Sequence, residues 1–95
     1  PHTVFFDGPG LAFPLALKMV QKGERLQPFG MSGSRLVSDI LIDRKVPRDE
    51  RSGMVVLTSG SRVLWLLGQC RSNESRVTEA SEWVWKATCT PVDRS

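Results

Sequence analysis

Ninety-five residues with a mass of 10.6 kDa are enough for one domain and too few for two. The chain is 40% hydrophobic and 24% charged, with eight Gly and six Pro, which excludes a disordered tract, a collagen and a coiled coil. Thirteen Lys and Arg against ten Asp and Glu leave +3, all of it local: Lys18 to Arg51 holds eight basic and five acidic residues, the remainder five of each. Nine of the thirteen cations are Arg, whose planar fork suits phosphate. The charge leans toward a polyanion, although mere solubility would explain it as well. The longest apolar runs, Leu11 to Leu17 around Pro14 and Val63 to Leu67, are far too short for a membrane helix. Pro1-His2-Thr3 offers no basic start for a signal peptide, and without an initiating Met the chain is expected to be excised from a longer protein.

Val4-Phe5-Phe6 reads as a short strand closed by the turn Asp7-Gly8-Pro9-Gly10. Leu15 to Val20 is expected to be its partner, with Pro14 marking an edge or a strand start. Residues 1–20 are read as entry strands and 21–90 as the motif-bearing part of a single domain, 1–95. Pro28 to Ser34 is loop chemistry leading into a helix over about 34–45, capped by Ser34, with Leu36, Val37, Ile40 and Leu41 on one apolar face. Arg44 and Lys45 suit the negative end of that helix, and Val46-Pro47 stops it. Met54 to Thr58 and Val63 to Leu67 form a hairpin around Ser59-Gly60-Ser61, closed by Gly68. Arg76-Val77-Thr78 and then Trp83 to Thr90 supply a further turn and strand. In the latter, Trp83, Trp85, Ala87 and Cys89 alternate with Val84, Lys86 and Thr88. The sum is an α+β fold: a small layered domain of short, mostly antiparallel strands with one principal helix.

Few constellations carry chemistry. Met31-Ser32-Gly33-Ser34 partly matches the Ser-Gly-Gly-x-Asp-Ser loop of ATP pyrophosphatases but lacks the second Gly and the Asp. Helix capping is the simpler role, and one phosphate oxygen is the most that Ser32 to Arg35 would hold. Gly8-Pro9-Gly10 loses a donor at Pro9 and makes a poor phosphate cradle. Asp49-Glu50, in a polar loop, reads as a solvated pair bonded to Arg48 or Arg51 and not as acid–base machinery. His2 with Cys70 and Cys89 does not have zinc-ligand spacing, and the two cysteines pair only if the fold joins them. No Cys/His or Ser/His/Asp set supports nucleophilic catalysis. Trp83 and Trp85 share a strand face and are expected in the core, with base stacking as the sharper alternative. Arg35 and Asp39, four apart, are expected to pair on the helix surface.

Ordered blocks add a resemblance. Gly23-Glu24-Arg25-Leu26-Gln27-Pro28-Phe29-Gly30-Met31, Gly33, Ser38 to Asp43, Lys45-Val46-Pro47 and Glu50-Arg51 come first. Leu64 to Gly68 and Arg76-Val77-Thr78 follow in order and spacing. Together, from about Phe5 to Thr90, the chain resembles the C-terminal domain of bacterial tRNA(Ile)-lysidine synthetases. The resemblance implies the fold shared with a domain of the phenylalanyl-tRNA synthetase beta subunit. It implies a parent ligase of the cytoplasm that uses ATP, with Mg, to join lysine to the wobble cytidine of tRNA(Ile). The catalytic loop of that family lies in an N-terminal domain, so this chain is expected to be non-catalytic and to hold no cofactor itself. Its expected partners are tRNA(Ile) and the N-terminal catalytic domain, with a homodimer left open. Where the family carries basic residues this chain has Ser32 and Leu36, and Cys70 stands where Arg is frequent. Arg25, Arg35, Arg44, Lys45 and Arg51 are the expected tRNA contacts. The alternative is a module that packs on other domains or a second subunit without touching RNA. The two readings differ in whether residues 18–51 present cations on one face or an apolar patch.

Overall fold

The computed structural model describes residues 2–51 and 53–90. In chain order they form β1 (Thr3–Asp7), β2 (Leu15–Met19), β3 (Arg25–Leu26), β4 (Arg35–Leu36), α1 (Val37–Asp43) and α2 (Arg48–Arg51). β5 (Val55–Ser59), β6 (Arg62–Leu66), β7 (Cys70–Arg71) and β8 (Val84–Thr88) follow. Every strand pair is antiparallel: a four-stranded sheet β2-β5-β6-β7, a ribbon of β1 with β8, and the short pair β3-β4.

The first strand does not pair with Leu15 to Val20, as the sequence suggested. The turn at Asp7 holds itself through Gly10 N–H donating to Asp7 Oδ2 at 2.9 Å, and Gly8 N–H then donates to the Trp83 carbonyl at 2.9 Å. The chain therefore leaves β1 beside β8, and Val4 and Phe6 face Ala87 and Trp85 across the ribbon. Strand β2 instead forms an edge of the main sheet beside β5.

The helix is shorter than expected and differently capped. It starts at Val37, with Leu36 as an extended N-cap and no side-chain cap bond. Ser34 is not the cap, because Val37 N–H donates to the Glu24 carbonyl at 2.9 Å, so a neighbouring strand end satisfies a donor that a cap would have met. The C-terminal end is a Schellman motif. Lys45 N–H bonds the Ile42 carbonyl at 2.9 Å, Val46 N–H bonds Leu41 at 3.0 Å, and Lys45 adopts φ 58, where Gly is usual. Val37, Ile40 and Leu41 are buried, as the apolar spacing predicts. After Pro47 the chain makes one more helical turn, α2, so Asp49 and Glu50 lie on a helix and not in a loop.

The main sheet packs against other elements on both faces, fully on one and partly on the other. Val56, Val63 and Leu66 pack under α1 with Leu26, Val37, Ile40 and Leu41. On the other face Leu64 and Trp65 pack with Val4, Phe6 and Leu11 of the ribbon side, joined by Leu15, Leu57 and Ala87. A register shift makes this double use work. Leu57 faces Trp65 and Thr58 faces Val63, so Leu64 is the extra residue of a bulge. The bulge turns both Leu64 and Trp65 to the ribbon side, while Val63 and Leu66 stay on the helix side. An apolar run without alternation thereby fills two cores.

Arg71 joins the ribbon to the sheet. Its Nε donates to the Ser72 carbonyl at 2.9 Å, Nη2 to the Glu74 carbonyl at 2.6 Å, and Nη1 to the Phe5 carbonyl of β1. Trp83 and Trp85 are not core: they are 49% and 43% exposed at the ribbon's end, stacked edge-on at 5.3 Å, with Phe13 5.5 Å from Trp85. Trp65, at 2% exposure, is the buried tryptophan. Cys70 packs with the helix-side core and Cys89 with the ribbon-side core, so the fold separates them and both are free thiols.

Candidate nucleic-acid interface

The five predicted contact residues fall into three settings. Arg25 is tied down by its own loop: Nε donates to Ser34 Oγ and Nη2 to the Ser34 carbonyl, each at 3.0 Å. Cross-strand partners share a face, and the register sets Arg25 opposite Leu36 and Arg35 opposite Leu26, so Arg25 and Arg35 leave β3-β4 on opposite sides. Arg35 does not pair with Asp39, because it precedes the helix instead of lying on it; its guanidinium reaches Asp43 at the far end of α1. That places Arg35 beside the helix end formed by Arg44 and Lys45, both exposed. The local charge there is three cations against the one carboxylate of Asp43, at the end where the helix dipole favours cations.

Arg51 belongs to the third setting. The turn after β2, the side of α1 and the short α2 enclose a cleft of about 520 Å³ lined by Val20, Gln21, Lys22, Gly23, Ser38, Leu41, Arg48 and Arg51. Its lining has three cations and no carboxylate. Lys22 and Arg48 were missed as site residues. Both are in the basic segment, but only recognising α2 as a helical turn would have placed Arg48 and Arg51 toward Lys22. Lys18, counted in the same segment, is neutralised by Glu24 at 3.3 Å. The basic residues from Lys18 to Arg51 are therefore grouped, not spread over one continuous face.

Two shifted groups mark the sheet's far edge. Burial pushes the Cys70 thiol up, more than the nearby Arg44 charge pulls it down. Burial, and then the like charge of Arg76, lower the Arg71 guanidinium below its ordinary value. Among the described residues no three His, Cys, Asp or Glu side chains gather as a metal site, and no helix is long and apolar enough to cross a membrane. Ser32 to Ser34 do not fit a nucleotide phosphate: the helix begins only at Val37, and Ser34 Oγ already accepts from Arg25.

Comparison with known proteins agrees with this architecture. The tRNA(Ile)-lysidine synthase of Symbiobacterium thermophilum is 42% identical over 73 residues, which cover 77% of this chain and 15% of that protein. The corresponding protein of Geobacter sulfurreducens is 38% identical over 77 residues, 81% of this chain and 16% of that protein. The chain thus spans about a sixth of the curated relatives it matches. A crystal structure of a TilS C-terminal domain superposes with a TM-score of 0.76 at 20% identity, covering 95% of this chain and 72% of that one. An N-terminal fragment of the Pyrococcus horikoshii phenylalanyl-tRNA synthetase beta subunit gives 0.75 at 22% identity, over 88% of this chain and 26% of that one. Both likenesses show the small, mostly antiparallel α+β fold. Residues 15–87, from β2 through most of β8, match the family described as the TilS substrate C-terminal domain, and the chain belongs to that family, the accessory C-terminal domain of tRNA(Ile)-lysidine synthases.

Proposed function

We propose that the chain is the tRNA-contacting domain of a cytoplasmic lysidine-forming ligase and is not itself catalytic. The observation that carries this reading is the cleft lined by Lys22, Arg48 and Arg51 without a carboxylate. Duplex RNA is held through its phosphates and 2′-hydroxyls, and a cleft whose lining carries cations and no carboxylate suits that grip. Arg44 and Lys45 extend the positive surface at the end of α1. Holding tRNA(Ile) in this way would position the wobble base at a separate N-terminal catalytic domain, a contribution of proximity. ATP and Mg would belong to that domain. Among the residues described here no activated nucleophile or acid–base pair comes together, so the isolated chain is expected to transfer no lysine to tRNA.

A second reading, docking on other domains or a second subunit, is favoured by one feature. Phe13, Trp83 and Trp85 are exposed on the ribbon side, and Leu17 and Met19 of β2 are exposed on the sheet face that also carries Leu15 and Leu57. This patch lies on the opposite face of the sheet from α1, so docking there and gripping RNA would not compete.

The test is tRNA binding across a salt series. Affinity should fall log-linearly with salt, since each neutralised phosphate releases counterions. Lys22→Ala with Arg48→Ala should flatten the slope by roughly 1–2 units, and Arg44→Ala with Lys45→Gly should act similarly. Gly at position 45 suits the positive φ, so that change removes charge without straining the helix end. Arg62→Ala, which removes the exposed partner of Glu74, should leave the slope alone. Equal weakening by Arg62→Ala would show diffuse attraction and defeat the assignment, and so would no binding at low salt.

A further inference from the structure

Phe29 is 51% exposed, and the charged groups against its ring are both cations. A ladder of rings and guanidiniums runs outward from the core. The Arg71 guanidinium carbon lies 4.8 Å from the centre of the buried Phe6 ring and 5.2 Å from that of Phe29, and Arg76 lies 4.9 Å from Phe29. Three carbonyls hold Arg71 in place. Neither Arg71 nor Arg76 pairs with a carboxylate among the described residues. The loop bearing the ring is fixed as well: Phe29 N–H donates to the Arg71 carbonyl at 3.1 Å, and Asn73 N–H to the Gln27 carbonyl at 2.8 Å. Beside the ring is a space of about 280 Å³ bounded by Thr3, Val4, Phe5, Phe29, Arg71 and Val77.

Two neighbouring cations without an ion-pair partner among the described residues favour an anionic partner, and an exposed ring bearing guanidiniums favours a flat one. A nucleotide offers both. We propose that the outer end of this ladder takes an unpaired nucleotide of RNA, its base against Phe29 and Arg76 and its phosphate drawn by the guanidiniums. The proposal rests on the reading of the chain as an RNA-contacting domain and adds to it a single-strand site apart from the cleft of Lys22, Arg48 and Arg51. Base–aromatic stacking tolerates any base, so the site would read strandedness and not sequence. An acidic protein segment would satisfy the charge but leave the stacking planes unused.

The experiment compares a labelled oligoadenylate carrying a fluorescent aminopurine with a blunt RNA hairpin, both titrated with the 95-residue chain. Phe29→Leu keeps an apolar side chain and should weaken oligoadenylate binding about tenfold, abolish the change in aminopurine fluorescence on binding and leave hairpin affinity unchanged. Arg76→Gln, an exposed change that spares the fold, should also weaken the single strand, whereas Lys22→Ala with Arg48→Ala should weaken the hairpin. Unchanged affinity and fluorescence change in Phe29→Leu and Arg76→Gln would overturn the proposal. Displacement of the oligonucleotide by polyglutamate as efficiently as by unlabelled oligoadenylate would overturn it too, by showing a charge site alone. Hairpin binding without single-strand binding would defeat this site and spare the tRNA reading. Binding of neither would defeat both.

Discussion

On one face of the four-stranded sheet a helix closes over the core, and cations gather around it; on the other a two-stranded ribbon covers part of the sheet, and its end is aromatic and open. The helix side is complete because Val37, Ile40 and Leu41 reach Val56, Val63 and Leu66 from one short element. The ribbon side is incomplete because β1 and β8 pack over Leu64 and Trp65 and leave Leu17 and Met19 exposed on the edge strand. The difference teaches that stability and surface chemistry are divided by face. The helix end carries Arg44 and Lys45, and α2 turns Arg48 and Arg51 into a cleft with Lys22, beside a finished core. The ribbon face keeps unspent apolar area, the kind of surface that meets protein.

The sharpest test of this division is a matched pair of truncations. Ile40→Ala should cost about 2–5 kcal/mol, since it opens a cavity under the helix. Leu17→Ala, on the uncovered face, should stay within about 0.5 kcal/mol. Denaturant midpoints with a constant slope measure both, and equal costs would show the ribbon face is covered after all.

A smaller effect probes the open end of the ribbon. A Cβ at Gly8 would lie 2.3 Å from Trp83 Cε3, so Gly8→Ala must displace the indole and should cost about 1–3 kcal/mol. In a Trp83→Ala background the same change should cost much less, and the double-mutant cycle reads the difference as coupling. Additive costs would mean that Trp83 does not rest on Gly8.

The smallest expected effect is a pH dependence on the helix side. Burial raises the Cys70 thiol pKa above its ordinary 9.0, so the folded state favours the neutral thiol. Its contribution is complete below 9.0 and is lost as pH rises through the folded value, because the unfolded chain releases its proton first. The denaturation midpoint should fall across that alkaline window, and Cys70→Ala should fall less. Identical profiles would show that the thiol is not desolvated.

Much of the fold was legible in local patterns. The spacing of Val37, Ile40 and Leu41 marked the buried helix face, Val46-Pro47 marked its stop, and the strands flanking Gly60-Ser61 were found within a residue of their ends. These signals are short in range: a period of 3.6, a two-residue turn, a proline. The candidate site was only half legible. Arg44, Lys45 and Arg51 could be picked as cations of the basic segment, but Lys22 and Arg48 needed α2, a single turn with no apolar face to announce it.

By itself, then, the sequence determined the longer strands, the buried face of the principal helix, the local excess of positive charge and, through its ordered blocks, the family. Tertiary structure alone decided which strand accompanies β1, how the bulge at Leu64 lets β6 serve two cores, and which tryptophan is buried. It also chose Asp43 over Asp39 as the partner of Arg35 and separated Cys70 from Cys89. Each of these outcomes joins residues through space. Strand pairing, burial and ion pairing depend on what a side chain meets once distant segments have packed, and no local period or spacing carries that information.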